Sequence, residues 1–493
     1  MPMDTESLSL DPNRGPNPYR PITPEIVAEL TAIVGEQHVI YSDRERMADY
    51  AHDEEFGAGH VCYYPDVVVR PDGAEQIAAI MRLANRERIP VTPRGAGSGL
   101  SGGAVPIYGG ILLSTERMNR ILEIDLANMV AVVEPGVITN DLDQAARQHG
   151  LFYAGYPMSV ETCSLGGNVA ENAGGGRAIK YGVTSRYVLG LEVVLPTGEI
   201  VQLGGKRLKD VTGYDLLHLM VGSEGTLGIF TKIILRLIPM PRARAVILVP
   251  FPDLASAIAA VPPVMMRSGL IPSAIEFMDR LGLQIAYDFV KEKPPRPDIG
   301  ALLLIEVDGF SQEEVAAQVD TIVDLCMEAG ALDAYIGDTP AMERRMWRPR
   351  QKLAEALSTL YQEQSGEDLV VPLSQIPALL PLLERLAKQY RVLTPCFGHV
   401  GDGNVHVHLI RGPDLTSEEW HAQYPAMMTD LYTAVAGLGG TISGEHGIGS
   451  KRARYLPLVL DAKVIELQRQ IKAIFDPLNI LNPGKIFPPT SMG

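Results

Sequence analysis

Cysteine is scarce in this chain: there are four in 493 residues, at Cys62, Cys163, Cys326 and Cys396, and no two form a C-x-x-C pair. That spacing supports neither a disulfide framework nor an iron–sulfur cluster held by this chain alone, and it fits a reducing, cytoplasmic setting. Basic residues are outnumbered, 43 Lys and Arg against 59 Asp and Glu, for a formal net charge of −16. Nucleic acid is therefore not expected as a partner, because its phosphates would need a strong local basic patch against that field. Long apolar runs are missing as well. The longest, around residues 301–305, is far below the ~18–20 residues that cross a bilayer, so no transmembrane segment is expected. The first two dozen residues, with Pro12, Pro16, Pro18, Pro21 and Pro24, have neither a basic start nor an apolar centre. They read as a disordered Pro-rich tail over 1–24 rather than a secretory signal. No fixed-period repeat is visible.

What is present is an ordinary globular composition, 46% hydrophobic and 21% charged, with length for two or three domains. A helical lead-in is expected over 25–63. From Tyr64 the pattern is βαβ: an apolar strand at 65–70, a helix over 72–85 with Ile77, Ile80, Met81 and Ala84 at helical spacing, and a strand at 88–92. It runs into P-R-G-A-G-S-G-L-S-G-G at 93–103, with five glycines in eleven residues. Such a loop can turn its N–H groups onto phosphate oxygens. Gly97, Gly99 and Gly102 fit G-x-G-x-x-G, yet residues 104–114 read as a turn and a strand. The helix that a nicotinamide site requires is absent. Further glycine clusters follow at 162–176 and 222–229, with a hairpin between them turning at Pro196-Thr197-Gly198. Three clusters suggest a long ligand laid against backbone at several points. The texture changes near 239–241, the expected domain boundary; beyond it, strands at 245–249, 274–278 and 302–307 and a helix over 313–329 make an α+β layer.

The second half carries its own chemistry. His399, His406 and His408 fall within ten residues, and Glu445-His446 follows between glycines. The strand 405–410 has period two, so His406 and His408 share one face, opposite Val405 and Val407, and the turn 401–403 can fold His399 back beside them. Imidazole with carboxylate suits a divalent ion such as Zn, Mn or Fe. The H-E-x-x-H helix of metalloproteases is absent. A basic cluster at 344–352, unusual in so acidic a chain, offers guanidinium groups that can grip a carboxylate.

Taken together, C-S-L-G-G-N-V-A-E-N-A-G-G at 163–175, G-S-E-G-T-L-G at 222–228, G-H-V-G-D-G-N-V-H at 398–406, S-G-E-H-G-I-G at 443–449, N-P-G-K at 482–485 and the first glycine loop resemble FAD-linked enzymes of the vanillyl-alcohol-oxidase (PCMH) type. Within that type they are similar to the glycolate oxidase D-subunit, D-lactate dehydrogenase and D-2-hydroxyglutarate dehydrogenase group. The resemblance implies a two-subdomain PCMH-type FAD-binding domain over 64–241. It also implies an α+β cap with a ferredoxin-like antiparallel sheet over 242–475, and a segment 476–493 that returns to the flavin. Arg94, Gly95, Ala96, Gly97, Ser98, Gly99, Ser101 and Gly102, with Thr162, Gly166, Gly167, Asn172 and Gly175, would hold FAD around its pyrophosphate. Pro157, Ser159, Gly228, Ile229 and Asn482 would line the flavin. Members with covalent FAD have a histidine where this loop has Ser98, so non-covalent FAD is implied. By the same analogy His399, His406 and Glu445 are metal ligands, His446 the base and Arg350 the carboxylate clamp.

The implied reaction is oxidation of a small 2-hydroxy acid, D-lactate or glycolate, to the 2-oxo acid by metal-assisted hydride transfer to flavin N5. Electrons would pass to a separate acceptor: an electron-transfer flavoprotein, an iron–sulfur subunit or a quinone. The chain would act as a homodimer or within a hetero-complex, cytoplasmic or peripheral to a membrane through a partner. Hydroxyglutarate-specific members have a lysine near Gly366 and an asparagine where this chain has His408, which disfavours a dicarboxylate. Rival readings are a non-redox synthase of the alkyl-dihydroxyacetone-phosphate type, a metal-dependent hydrolase and a subunit that only transfers electrons.

Overall fold

The structure, a computed structural model, describes residues 17–55, 62–155 and 157–488. The part of the expected tail up to residue 16 lies outside that range. From Asn17 onward the chain is docked rather than loose, which corrects the tail reading for 17–24. Tyr19 Oη donates to Asn479 O at 2.5 Å, and its ring meets that of Tyr108 edge-on.

The described residues of the N-terminal half form two main sheets and a two-stranded pair, Leu151–Phe152 with Ile238–Pro239. Val67, Val68 and Val69 are fully buried in succession, the pattern of a strand covered on both faces. This strand runs parallel to Ile111–Ser114, which runs parallel to Val91–Arg94. The helix Ala74–Glu87 makes the crossover, burying Ile77, Ile80, Met81 and Ala84. The lead-in is not wholly helical: after Pro24–Val34, Val39–Tyr41 adds antiparallel to Val67–Val69, because a β-branched and aromatic triplet fits the open sheet edge. The second sheet is antiparallel, in the order Ile121–Asp125, Val130–Val133, Ile229–Arg236, Val188–Val194, Ile200–Gly204.

The cap is one antiparallel eight-stranded sheet: Tyr335–Gly337, Ala243–Phe251, Ala301–Gly309, Ala274–Asp279, Cys396–His399, Asn404–Arg411, Gln364–Val370, and Val392–Leu393 against Asn404–Arg411. Both faces are covered, so its central strands read as continuous apolar runs. Ile247 and Val249 join the core under the helices Leu254–Arg267, Gln312–Glu328, Ile376–Tyr390 and Ser417–Gly437. Val246 and Leu248 face the helices Arg280–Val290 and Pro340–Leu360.

The chain then returns. Ile471 and Phe475 of the helix Ala462–Phe475 pack against the second sheet's core. Residues 480–482 run parallel beside Val91, with Val91 N–H on Ile480 O and Asn482 N–H on Val91 O, both 2.7 Å. Among the described residues, no helix is long and apolar enough to cross a membrane. All four cysteines are free thiols.

Candidate active site

The strand Val91–Arg94 delivers the chain into the glycine loop, which lies against the start of the helix Leu165–Glu171. Ala96 N–H donates to Ser164 Oγ at 3.2 Å, and a Cβ on Gly95 would strike that oxygen. Gly97 has φ +75°, and a Cβ there would strike the Arg94 guanidinium. These two glycines are needed for the loop's path. The loop opens on two adjoining spaces. The larger, a cleft between the halves, holds about 1800 Å³ of empty space including its mouth, and the smaller hollow about 560 Å³.

Gly95, Ala96, Gly97, Ser98, Gly99, Gly167, Pro157 and Ser159 line the cleft, and Arg94, Gly166, Gly228 and Ile229 line the smaller hollow. The Arg94 side chain turns away, donating to His52 O at 2.7 Å and Asp49 O at 2.9 Å. Asn482 is buried, its Nδ2 donating to Gly103 O at 2.9 Å and Glu224 O at 2.8 Å, while its Oδ1 has no partner. Asn482 lines neither space, and five other expected residues also stand back from both. Gly102 N–H is committed to Asp53 Oδ2 at 2.8 Å, and Ser101 O receives the N–H groups of Ser450 and Lys451. Thr162 Oγ1 donates to Ser159 O, Asn172 Oδ1 accepts from Ser185 N–H, and Gly175 O accepts from Ala178 N–H. A backbone-lined cradle that side chains would fill, with an orphaned amide oxygen beside it, fits a long phosphate-bearing cofactor such as FAD.

The cap supplies the opposite wall. Val405 and Val407 enter its core, while His406 and His408 face the cleft, as the alternation predicts. Phe397 pairs with His406 across the hairpin, which brings His399 back: the His399 and His406 rings are 5.1 Å apart at 89°. Glu445 Oε1 lies 3.2 Å from His399 Nε2 and 3.3 Å from His406 Nε2. The ligand atoms of these three residues all lie within 4.8 Å of one another. Behind them, Glu276 Oε1 holds His399 Nδ1 at 2.5 Å, and Glu276 Oε2 meets Arg350 Nη2 at 2.7 Å. A carboxylate behind an imidazole is the usual support of a metal-bound histidine. Two imidazoles and a carboxylate converging on one point fit a divalent ion.

Asp368, His406 and His446 form a second convergent set. It is the poorer cage, because Asp368 Oδ2 already accepts the N–H groups of Gly444, Glu445 and His446 and the Ser443 hydroxyl, each at 2.8 Å. Asp368 instead fixes the loop that presents Glu445 and His446. The His446 ring stacks on His406 at 5.2 Å and 6°.

Burial opposes a charged His399, but the carboxylates of Glu276 and Glu445 prevail and hold it well above the usual imidazole range. Burial likewise opposes an ionised Glu445, yet His399 and His406 hold it well below the usual carboxyl range. Burial pushes His446 down to about 4 despite Asp368 nearby, so its ring is neutral. Burial also takes His408 down to about 3. Arg350 is buried against the Phe397 ring at 4.9 Å, and its Nε has no partner. One edge of its guanidinium is thus spent on Glu276.

Glu276 and Asp368 were not among the residues expected from sequence, although both left a signal. Glu276 is the lone acid within Ala274-Ile275-Glu276-Phe277-Met278, and Asp368 precedes the apolar run 369–371. Charges inside buried strands need a partner. The halves are locked above the cleft, where Glu224 accepts the N–H groups of Ile448 at 2.9 Å and Gly449 at 2.6 Å. Arg452, fully buried, donates to Leu100 O at 3.3 Å and Gly366 O at 3.2 Å.

Two families match the chain: one described as FAD binding domain over residues 65–204, the other as FAD linked oxidases, C-terminal domain, over 240–486. A D-lactate dehydrogenase of Anaerostipes hadrus is 40% identical over 473 residues, 95% of this chain and 98% of its own length. The glycolate oxidase subunit GlcD of Bacillus subtilis (strain 168) is 37% identical over 466 residues, 94% of this chain and 97% of its own. A solved structure of p-cresol methylhydroxylase with substrate bound shares the fold, with TM-score 0.75 and 20% identity over 93% of this chain and 96% of that one.

Proposed function

Starting from the fact that the chain belongs to the FAD-linked oxidases and is an oxidoreductase with an FAD-binding domain, we propose that it oxidises a short 2-hydroxy acid, D-lactate or glycolate, to the 2-oxo acid. The observation that carries this reading is one cleft lined on one side by the glycine loop and on the other by His399, His406, Glu445 and His446. Bound FAD supplies an acceptor for the two electrons that leave the α-carbon as hydride. A divalent ion held by His399, His406 and Glu445 would supply positive charge beside the substrate hydroxyl.

The chain's own groups do the rest. Among the described residues that line the cleft, Arg350 is the only lysine or arginine, and its unused edge takes the substrate carboxylate. One clamp matches one carboxylate, which favours a monocarboxylic acid over a dicarboxylic one. His446 is the base: its Nδ1 is sealed and unpartnered, so Nε2 is the atom that receives the hydroxyl proton. Its stacking on His406 and the Asp368-held loop fix that ring. Phe397 and Ala354 bound the cleft with apolar surface beside Arg350. Electrons then pass to a separate acceptor, a second protein or a quinone.

The test is an anaerobic screen of short 2-hydroxy acids, both enantiomers, following flavin absorbance with and without a chelator. Bleaching by D-lactate or glycolate is the expected result. Bleaching by 2-hydroxyglutarate alone would move the assignment to a dicarboxylate dehydrogenase, and a yellow protein that none of them bleaches would favour a non-redox synthase.

A further inference from the structure

The cleft and the smaller hollow meet at a waist. The residues lining both are Gly95, Gly103, Ala104, Gly167 and Glu171. Four of these have no side chain beyond a methyl group; the fifth carries a carboxyl. A ligand long enough to occupy both spaces has its middle here. On the reading above that ligand is FAD, whose middle is a pyrophosphate. Glycine amides suit such a group, whereas an ionised carboxylate beside it would repel it.

Glu171 closes the helix Leu165–Glu171, where the helix dipole already disfavours negative charge. Its Oε2 is sealed from solvent and has no hydrogen-bond partner. Glycines on two other segments make room for it. A Cβ on Gly103 would stand 2.9 Å from Oε1, and one on Gly447 would collide with Oε2. The charged groups around it are Glu224 and Asp53, which disfavour a further negative charge, and Arg452 and Lys485, which favour it. Both cations are engaged elsewhere: Arg452 with Glu367 and backbone carbonyls, Lys485 Nζ with Val105 O at 2.6 Å. Burial, then Glu224 and Asp53, raise Glu171 well above the usual carboxyl range.

We propose that Glu171 stands at this waist as a neutral carboxylic acid and donates its O–H as a hydrogen bond to the pyrophosphate of bound FAD. The residue is then a donor disguised as an acid, set among the small residues of the waist. No proton leaves the pair, and no bond is made or broken.

The test measures FAD affinity of the flavin-stripped full chain by fluorescence quenching, together with infrared spectra of the reconstituted protein. Glu171→Gln keeps a donor of the same shape and binds FAD within about threefold of wild type, the context-dependence of a single contact. Glu171→Leu loses about 10- to 100-fold in affinity, the worth of one hydrogen bond to a charged group. The wild-type spectrum at neutral pH contains a protonated carboxylic acid band that moves when FAD binds and is missing from the Gln variant. A Leu variant that binds as tightly as wild type, or spectra in which no such band distinguishes wild type from Gln, overturns the proposal. Should the Gln variant not fold, the wild-type band decides alone: a shift on FAD binding supports the proposal and an unmoved band overturns it. A chain that binds no FAD at all would defeat the FAD reading as well, whereas FAD bound equally by all three proteins defeats only this inference.

Discussion

Replacing Asp368 by Asn tests how the loop bearing Glu445 and His446 is held. Asp368 is fully buried, its Oδ2 collecting three backbone N–H groups and its Oδ1 accepting Asn404 Nδ2 at 2.7 Å. An amide oxygen in that place still accepts, but without charge, which weakens each backbone bond by about 1 kcal/mol. The three together come to about 3 kcal/mol. At the other end the new NH₂ would meet Asn404 Nδ2, donor against donor. Asn404 can turn over, since its Oδ1 has no partner, but it then gives up its bond to Leu369 O at 3.1 Å, for about 1 kcal/mol more. The expected loss is about 3–4 kcal/mol of cap stability.

Both tryptophans, Trp347 and Trp420, lie in the cap, so urea unfolding followed by their fluorescence reads that half alone. The sign with pH follows from linkage. Burial pushes Asp368 up, but the neighbouring His446 and His406 side chains, with Arg452, prevail and hold it well below its ordinary range. A depressed group stabilises above its unfolded value, near ~3.9, and loses that contribution as pH falls toward its folded value. The gap between wild type and variant is therefore constant from neutral pH down to about pH 4 and closes below it. A variant with the wild-type midpoint and slope in urea at neutral pH refutes the account.

Two further outcomes test the chemistry. His446→Ala retains FAD, yet flavin reduction by the 2-hydroxy acid falls about 10²- to 10⁴-fold in anaerobic stopped flow, the usual worth of a positioned base; reduction at a near-normal rate removes His446 from that role. Stripping divalent ions with a chelator leaves the flavin spectrum intact and abolishes substrate oxidation, and added Zn or Mn restores it. Full turnover by protein shown to be metal-free by elemental analysis contradicts the ligand set.

Much of this could be read from the chain before its shape was known. The period-two run at 405–410 placed His406 and His408 on one face, and the missing helix after Gly103 argued against a nicotinamide site, because both are local properties of a few residues. What could not be read was which loop residues turn inward. Ser101 and Gly102 look interchangeable with Gly97 and Gly99 in sequence, yet the Ser101 carbonyl is claimed by Ser450 and Lys451 and the Gly102 N–H by Asp53, partners at large sequence separation. The same distance hid Glu276 behind His399, and hid the strand Val39–Tyr41, which forms only because a distant strand leaves its edge open.

The pairing of residues 480–482 with Val91 bears on how the protein is made. A nascent chain emerging from the ribosome can close the crossover between Val67–Val69 and Val91–Arg94 early, but it must wait for nearly four hundred more residues before that sheet's far edge is covered. During this interval the glycine cradle lacks the Asn482 amide that ties Gly103 to Glu224. FAD would therefore find its cradle complete only once residues 480–482 have been made and have docked beside Val91.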